Sequence, residues 1–267
     1  VLLPVAIMAV FFQALSPNKY VGWGLFLVWF IAGIFLVNMG YTNALYRYGS
    51  NPAEPLSDMN GSGGFAYGAW VLRAYWMAFA VILMVVAHIV WPRGTDTRWR
   101  SRLQRIRHGM RGAPLALIGA ALVAMIGTGA YAWYNFKILN RFETSDEIEK
   151  LTADYEKRYL KYEKLPRPVV TAVKFDAQIF PKQKRLAVTG QYKLRNDTGA
   201  PISEVHIRQG NRDTKFSALE IKGAKLARYD EKYRYRFYRF DTPLASGAGT
   251  ELNLQSEIWH CGFRNGL

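Results

Sequence analysis

AYWMAFAVILMVVAHIVW, residues 74–91, decides the reading of this chain: it holds no Asp, Glu, Lys or Arg, and His88 is its one side chain that titrates near neutral pH. A hydrocarbon core about 30 Å thick takes roughly 20 apolar residues of helix to cross. Val21–Leu45 and Pro114–Phe136 are likewise uncharged, and Val1–Leu15 is a fourth apolar run, cut short at the first residue. A soluble domain has no need of three such helices separated by polar loops, so the stretches are read as membrane-spanning. With Val1 inside an apolar run and no charged leader ahead of it, the chain reads as a piece of something longer.

Working outward, the charges divide the 267 residues into two halves. Residues 1–135 carry 10 Lys and Arg against 3 acids, and residues 136–267 carry 25 against 17, which together make the net charge of +15. A mean hydropathy of −0.07 therefore averages two unlike segments. Arg93, Arg98, Arg100, Arg102, Arg105, Arg107 and Arg111 crowd one loop beside the single acid Asp96, which predicts that this loop is cytoplasmic. The 46–68 loop and everything after Phe136 then fall on the outer side. Arg73 is expected to reach the headgroups from the outer end of its helix, and His88 to bond a carbonyl or headgroup near the inner end. The small residues Gly119, Ala120, Ala121, Ala124, Gly127 and Gly129 suit close helix packing, and Gly61–Gly64 reads as a flexible turn.

After the last apolar run the periodicity changes. Thr144 and Glu147 have the spacing of a capping box, and Ile148, Leu151, Tyr155, Tyr159 and Tyr162 mark one apolar face. Pro166 and Pro168 end this helix, which reads as a stalk. From Val169 the period becomes two, predicting strands at 169–179 and 186–194, around Val205 and Ile207, and at Leu219–Ile221, Tyr233–Phe240 and Leu252–Ile258. The fold class expected is a membrane α-helical bundle, three complete helices plus one truncated, followed by an extracytoplasmic all-β sandwich-like domain. The domains are 1–136 (transmembrane), 137–168 (helical stalk) and 169–267 (β-domain).

The chemistry is mostly absent. His88, His108, His206 and His260 form no paired zinc spacing, no phosphate-cradling glycine loop carries a Lys, and the lone Cys261 has no intrachain partner. No catalytic, cofactor-binding or metal-binding residue is assigned. The run Tyr233–Arg239 alternates aromatics with cations, the raw material for stacking bases, but on an outer domain it reads as an ordinary strand and no nucleic-acid partner is expected. Asn196-Asp197-Thr198 reads as a hairpin turn before it reads as a glycosylation sequon.

GQYKLRNDTGAPISEVHI at Gly190–Ile207, preceded by VKFDAQIFPKQKRLAVTG, resembles the opening β-domain of aminopeptidase N family zinc metallopeptidases. The order of apolar helices, PLSDMNG at Pro55–Gly61, the YEKRYLKYEKLPRP stalk and then this β-domain resembles bacterial fusions of an ABC-transporter permease-like region to such a peptidase. The resemblance implies a multi-pass protein of the bacterial inner membrane with its C-terminal domain periplasmic. It implies Zn2+ in a downstream catalytic domain carrying HExxH and GxMEN motifs, neither of which this sequence contains. The implied partners are the lipid bilayer, other permease helices of the parent chain or of an oligomer, the missing peptidase domain and an ABC ATPase subunit. The competing readings are a non-enzymatic, membrane-tethered sensor or binding module and an ABC-transporter permease half.

Overall fold

In the computed structural model the described residues are 2–52, 54–59, 61–91 and 109–264. The arginine-rich loop, apart from Arg111, and His108 lie outside them. The chain divides into two compact units, Val1–Glu149 with Gly262–Leu267, and Lys150–Cys261.

The first unit is helical: α1 (Leu2–Leu15), α2 (Lys19–Asn38), α3 (Phe65–Val90) and α4 (Ala113–Trp133), the last continued by a π-helical turn, Tyr134–Leu139. Lys19–Asn38, Phe65–Val90 and Ala113–Leu139 are each long and apolar enough to cross a membrane, and Leu2–Leu15 is shorter. Pro17 follows α1, and the Asn18 side chain starts α2 by accepting from the backbone N–H groups of Tyr20 and Val21. α2 stops at Asn38, short of the expected Leu45, because the chain turns through Gly40 at a φ of 86°. α3 begins nine residues before Ala74 and takes Arg73 into the helix, where its guanidinium lies 2.6 Å from Glu54. No spacing in the sequence linked these two residues.

α3 is the hub of this unit. Ala69, Leu72, Trp76, Ala80, Leu83, Ala87 and Val90 recur at steps of three and four and are all buried. Alanines in that stripe let α1 approach, packing Ile7 and Met8 on Ala80 and Leu83. On the α4 side Gly129 is needed, since a Cβ there would meet the Tyr75 ring at 2.8 Å, whereas Gly119 and Gly127 have open space beside them. The connection after α2 is stapled down by Trp76 Nε1 donating to the Ala44 carbonyl and by the Tyr48 hydroxyl donating to that of Pro4. Phe263 also packs in this unit, in a socket with Ala44, Leu72, Ala132 and Phe136.

The second unit is one curled antiparallel sheet of seven strands in the order β1-β2-β7-β4-β5-β6-β3. The strands are β1 (Val169–Phe180), β2 (Arg185–Arg195), β3 (Ile202–Arg208), β4 (Thr214–Ile221), β5 (Ala224–Asp230), β6 (Tyr235–Leu244) and β7 (Gly249–Trp259). β4 and β5 share only the pair Ile221↔Ala224 across Lys222-Gly223, so hydrogen bonding nearly breaks there and the sheet folds over. The two halves face each other across a core of Leu194, Ile221 and Leu252 from one side and Ile202, Val205, Tyr238 and Phe240 from the other. The Tyr238 hydroxyl crosses that core to donate to the Leu219 carbonyl at 2.7 Å. The expected sandwich is thus one continuous sheet turned through a corner. β5 was not foreseen because most of its residues are exposed and its sequence, AKLARYD, has little apolar alternation.

Asn196 fastens the open end of the curl. It is fully buried; its amide nitrogen donates to the Ala200 and Leu244 carbonyls at 2.9 and 2.8 Å, and its oxygen accepts from the backbone N–H and hydroxyl of Thr198. The turn reading of residues 196–198 holds, and the burial leaves no room for a glycan in the folded unit. Asn196→Ala removes all four hydrogen bonds of a fully buried amide, so we expect a loss of about 2 kcal/mol, seen by hydrogen exchange as faster amide exchange across residues 194–208 and 240–250 while α3 stays protected.

Candidate functional site

The helix α5 (Ser145–Tyr159) is started by the reciprocal capping box: Thr144 N–H donates to the Glu147 carboxylate at 2.8 Å and Glu147 N–H to the Thr144 hydroxyl at 3.3 Å. From Lys150 onward the helix and the 3-10 turn Leu160–Tyr162 belong to the sheet unit. The apolar face read from the sequence lies on β6, where Tyr159, Tyr233, Tyr235 and Phe237 are buried together with Leu151, Tyr155 and Tyr162 against them. Tyr159 stacks on Tyr235 with ring centres 4.4 Å apart, and His206 of β3 stands edge-on to Phe237 and Tyr162 at 4.7 and 4.8 Å. Beside this cluster opens a cleft of about 430 Å³, floored by Tyr155, Tyr159, Tyr162, His206 and Tyr235 and rimmed by Glu156, Glu163, Arg167 and Glu204.

Two polar centres are embedded in the rings. Tyr159 donates to Asp230 at 2.5 Å, and Arg158 and Arg228 approach the same carboxylate at 3.4 and 3.9 Å. Burial acts to raise Asp230, but the hydrogen bonds from the Tyr159 hydroxyl and the Tyr233 backbone, with the two arginines, hold it below the usual carboxylate range. Burial and the bond to Asp230 push the Tyr159 phenol up. His206 Nδ1 lies 3.1 Å from the Tyr235 hydroxyl and Nε2 lies 3.5 Å from Glu204. Burial lowers the imidazole, opposed by Glu204, and burial raises the Tyr235 phenol.

This Glu204–His206–Tyr235 chain has the order of a proton relay, but its phenol is displaced away from ionisation, the wrong direction for a nucleophile. What the cluster does is pack, its rings burying one another and its hydroxyls finding partners within it. The aromatic–cation run is likewise committed inside the fold: Tyr233, Tyr235, Phe237 and Tyr238 are buried, and the Arg236 guanidinium lies 4.3 Å from the Tyr229 ring. Sequence reasoning treated the tyrosines of α5 as a stalk face and missed their meeting with His206, since the contact spans more than forty residues and a crossover in the sheet. The available signal was Tyr155, Tyr159 and Tyr162 at helical spacing, matched by alternate aromatics in β6.

Among the described residues no group of three or more His, Cys, Asp or Glu is placed to hold a metal ion. His88 lies exposed in the last turn of α3, and the His260 backbone N–H donates to the Lys184 carbonyl. Cys261 is exposed.

No family model matches the chain, and no curated protein matches it. Among solved structures, a mutant M1 zinc metallopeptidase from Deinococcus radiodurans bound to a Tyr-Ser-Ala substrate is 15% identical, over 35% of this chain and 21% of that one, with a TM-score of 0.28. A two-domain M1 zinc metallopeptidase mutant bound to L-tryptophan is 14% identical over 36% of this chain and 21% of that one, with a TM-score of 0.29. The likeness is weak, and the chain spans about a fifth of the length of these structures.

The direction of the His206 shift sets a pH dependence. The folded state prefers the neutral ring, whose ordinary pKa is 6.5. Its stabilising contribution is therefore complete above that value and declines as pH falls below it toward the lowered folded value. Thermal melting of the sheet unit is expected to weaken on going from pH 7.5 to 5.5, and His206→Phe to flatten that dependence.

Proposed function

We propose that this chain is a membrane-embedded, permease-like anchor that presents a non-catalytic β-domain to a downstream zinc aminopeptidase domain of the same parent protein. The observation that carries the reading is Gly190–Ile207, the stretch that resembles the opening domain of aminopeptidase N family enzymes, which forms the second half of β2, the Asn196 turn and most of β3. Three helices long and apolar enough to cross a membrane supply the anchor. The residues present do not fit a zinc site, so no hydrolytic step is assigned to this chain; when bound in the downstream domain, zinc would supply the activated water for peptide hydrolysis. On this reading the parent is an enzyme and the present segment its support, in the bacterial inner membrane with the β-domain periplasmic. The cleft of about 430 Å³ beside His206 favours one second reading, a tethered binding module without peptidase activity.

One measurement separates these readings, and two more test what they share. The reading frame beyond Leu267 is expected to encode HExxH, and a frame without it leaves the binding module. Aminopeptidase assays of the purified segment with added zinc are expected to show no chelator-sensitive turnover. On intact cells, an impermeant thiol reagent is expected to label Ser217→Cys but not Thr97→Cys, both made in a Cys261→Ser background; the reverse pattern overturns the orientation drawn from the arginine loop.

A further inference from the structure

β1 is one of the two terminal strands of the sheet, β3 being the other, and among the described residues no strand pairs along the outer edge of β1. It runs for 12 residues, and Val173, Phe175 and Ile179 are 47%, 53% and 71% exposed. Natural edges are usually protected by being short, by proline or by bulges. Here the bulge lies near one end, between Val170 and Ala172, and Pro181 falls after the strand, so Ala172–Gln178 is left regular and open.

The charges in that open stretch are symmetric about its centre. Val173-Lys174-Phe175-Asp176-Ala177 places a cation and an anion on either side of Phe175. If an antiparallel copy sets Phe175 opposite Phe175, each Lys174 faces the other copy's Asp176 and each Val173 faces an Ala177. Centring the pair on Lys174 or on Asp176 instead puts like charges opposite each other, which is destabilising. The apolar side chains agree with the charges. Phe175 is opposite Gly190 of β2, whose missing Cβ leaves room for the ring, and it meets Tyr192 edge-on at 5.3 Å. Tyr192 and Leu254 pack against the core, so Phe175 forms the exposed lip of that same apolar face. A second copy's lip would continue it. Self-complementary patches of this kind are what a two-fold interface requires.

We propose that β1 is a homodimerisation edge: two copies of this chain join β1 to β1 in antiparallel fashion about Phe175, making one continuous sheet with reciprocal Lys174–Asp176 pairs. The inference is independent of the peptidase reading, since it uses only the strand and its register.

The test uses the full 267-residue chain in lipid nanodiscs and detergent, with mass and affinity from sedimentation and light scattering. In a Cys261→Ser background, Phe175→Cys is expected to form a disulfide-linked dimer under mild oxidation, while the highly exposed control Lys225→Cys is not. Lys174→Asp alone and Asp176→Lys alone are each expected to weaken the dimer by about tenfold. The double swap, Lys174→Asp with Asp176→Lys, restores the pairing and should return the affinity to within about threefold of the original, with circular dichroism unchanged throughout. A monomer at every concentration, an affinity indifferent to the single reversals, a swap that does not rescue, or equal cross-linking at the two cysteine positions would each overturn the proposal.

Discussion

A buried primary amide makes four hydrogen bonds or leaves a costly vacancy, and in the sheet unit Asn196 makes all four. That set of bonds ties the end of β2 to the turn before β3 and to the end of β6. It matters because the sheet is otherwise weakly joined: β4 and β5 meet at the single pair Ile221↔Ala224, so the ladder alone does not hold the two halves in register. With Asn196 at one end and the Tyr238–Leu219 bond across the middle, the apolar faces are kept opposed and the core of Leu194, Ile202, Val205, Phe240 and Leu252 can close. An apolar residue at 196 would pack but would lose the bonds that join this turn to the end of β6, which is why polarity at this buried position is a requirement and not an accident of the turn.

The outside of β6 is governed by a different constraint. Aromatic rings give large contact area but demand partners for their hydroxyls when buried. The cluster answers that demand internally, with Tyr159 on Asp230 and Tyr235 on His206, and the first of these bonds helps to raise the Tyr159 phenol and to lower the Asp230 carboxyl. Cations ring the cluster as well: Arg208 lies 4.0 Å from the Tyr155 ring and Arg158 lies 5.3 Å from that of Tyr233. A surface rich in arginine and tyrosine is therefore already engaged with itself. The helical unit also satisfies its packed rings, through Tyr48 on the Pro4 carbonyl and Trp76 on that of Ala44. It packs by small residues along α3 and uses ring contacts of Tyr48 with Trp29, Trp76 and Phe79 to hold a connection.

How much of this was legible follows from the range of each interaction. Apolar runs, the Thr144–Glu147 cap, the period-two strands and the turn at Asn196 are local patterns. Backbone hydrogen bonding and side-chain periodicity tie them to the nearest few residues, so the sequence by itself determined a chain with apolar helices ahead of strands. The Arg73–Glu54 pair, the meeting of Tyr162 with His206, the central position of β7 and the exposed edge at β1 join residues far apart in the chain, and only the tertiary structure decided them. The strands read from the sequence at 233–240 and 252–258 are interior: β6 lies between β5 and β3, and β7 between β2 and β4. That the edges fall to β1 and β3 was not legible, because each strand's apolar pattern says which face is buried but carries no information on which strand stands beside it. Adjacency is set by how the corner at Lys222-Gly223 folds one half of the sheet onto the other, and that depends on all seven strands at once.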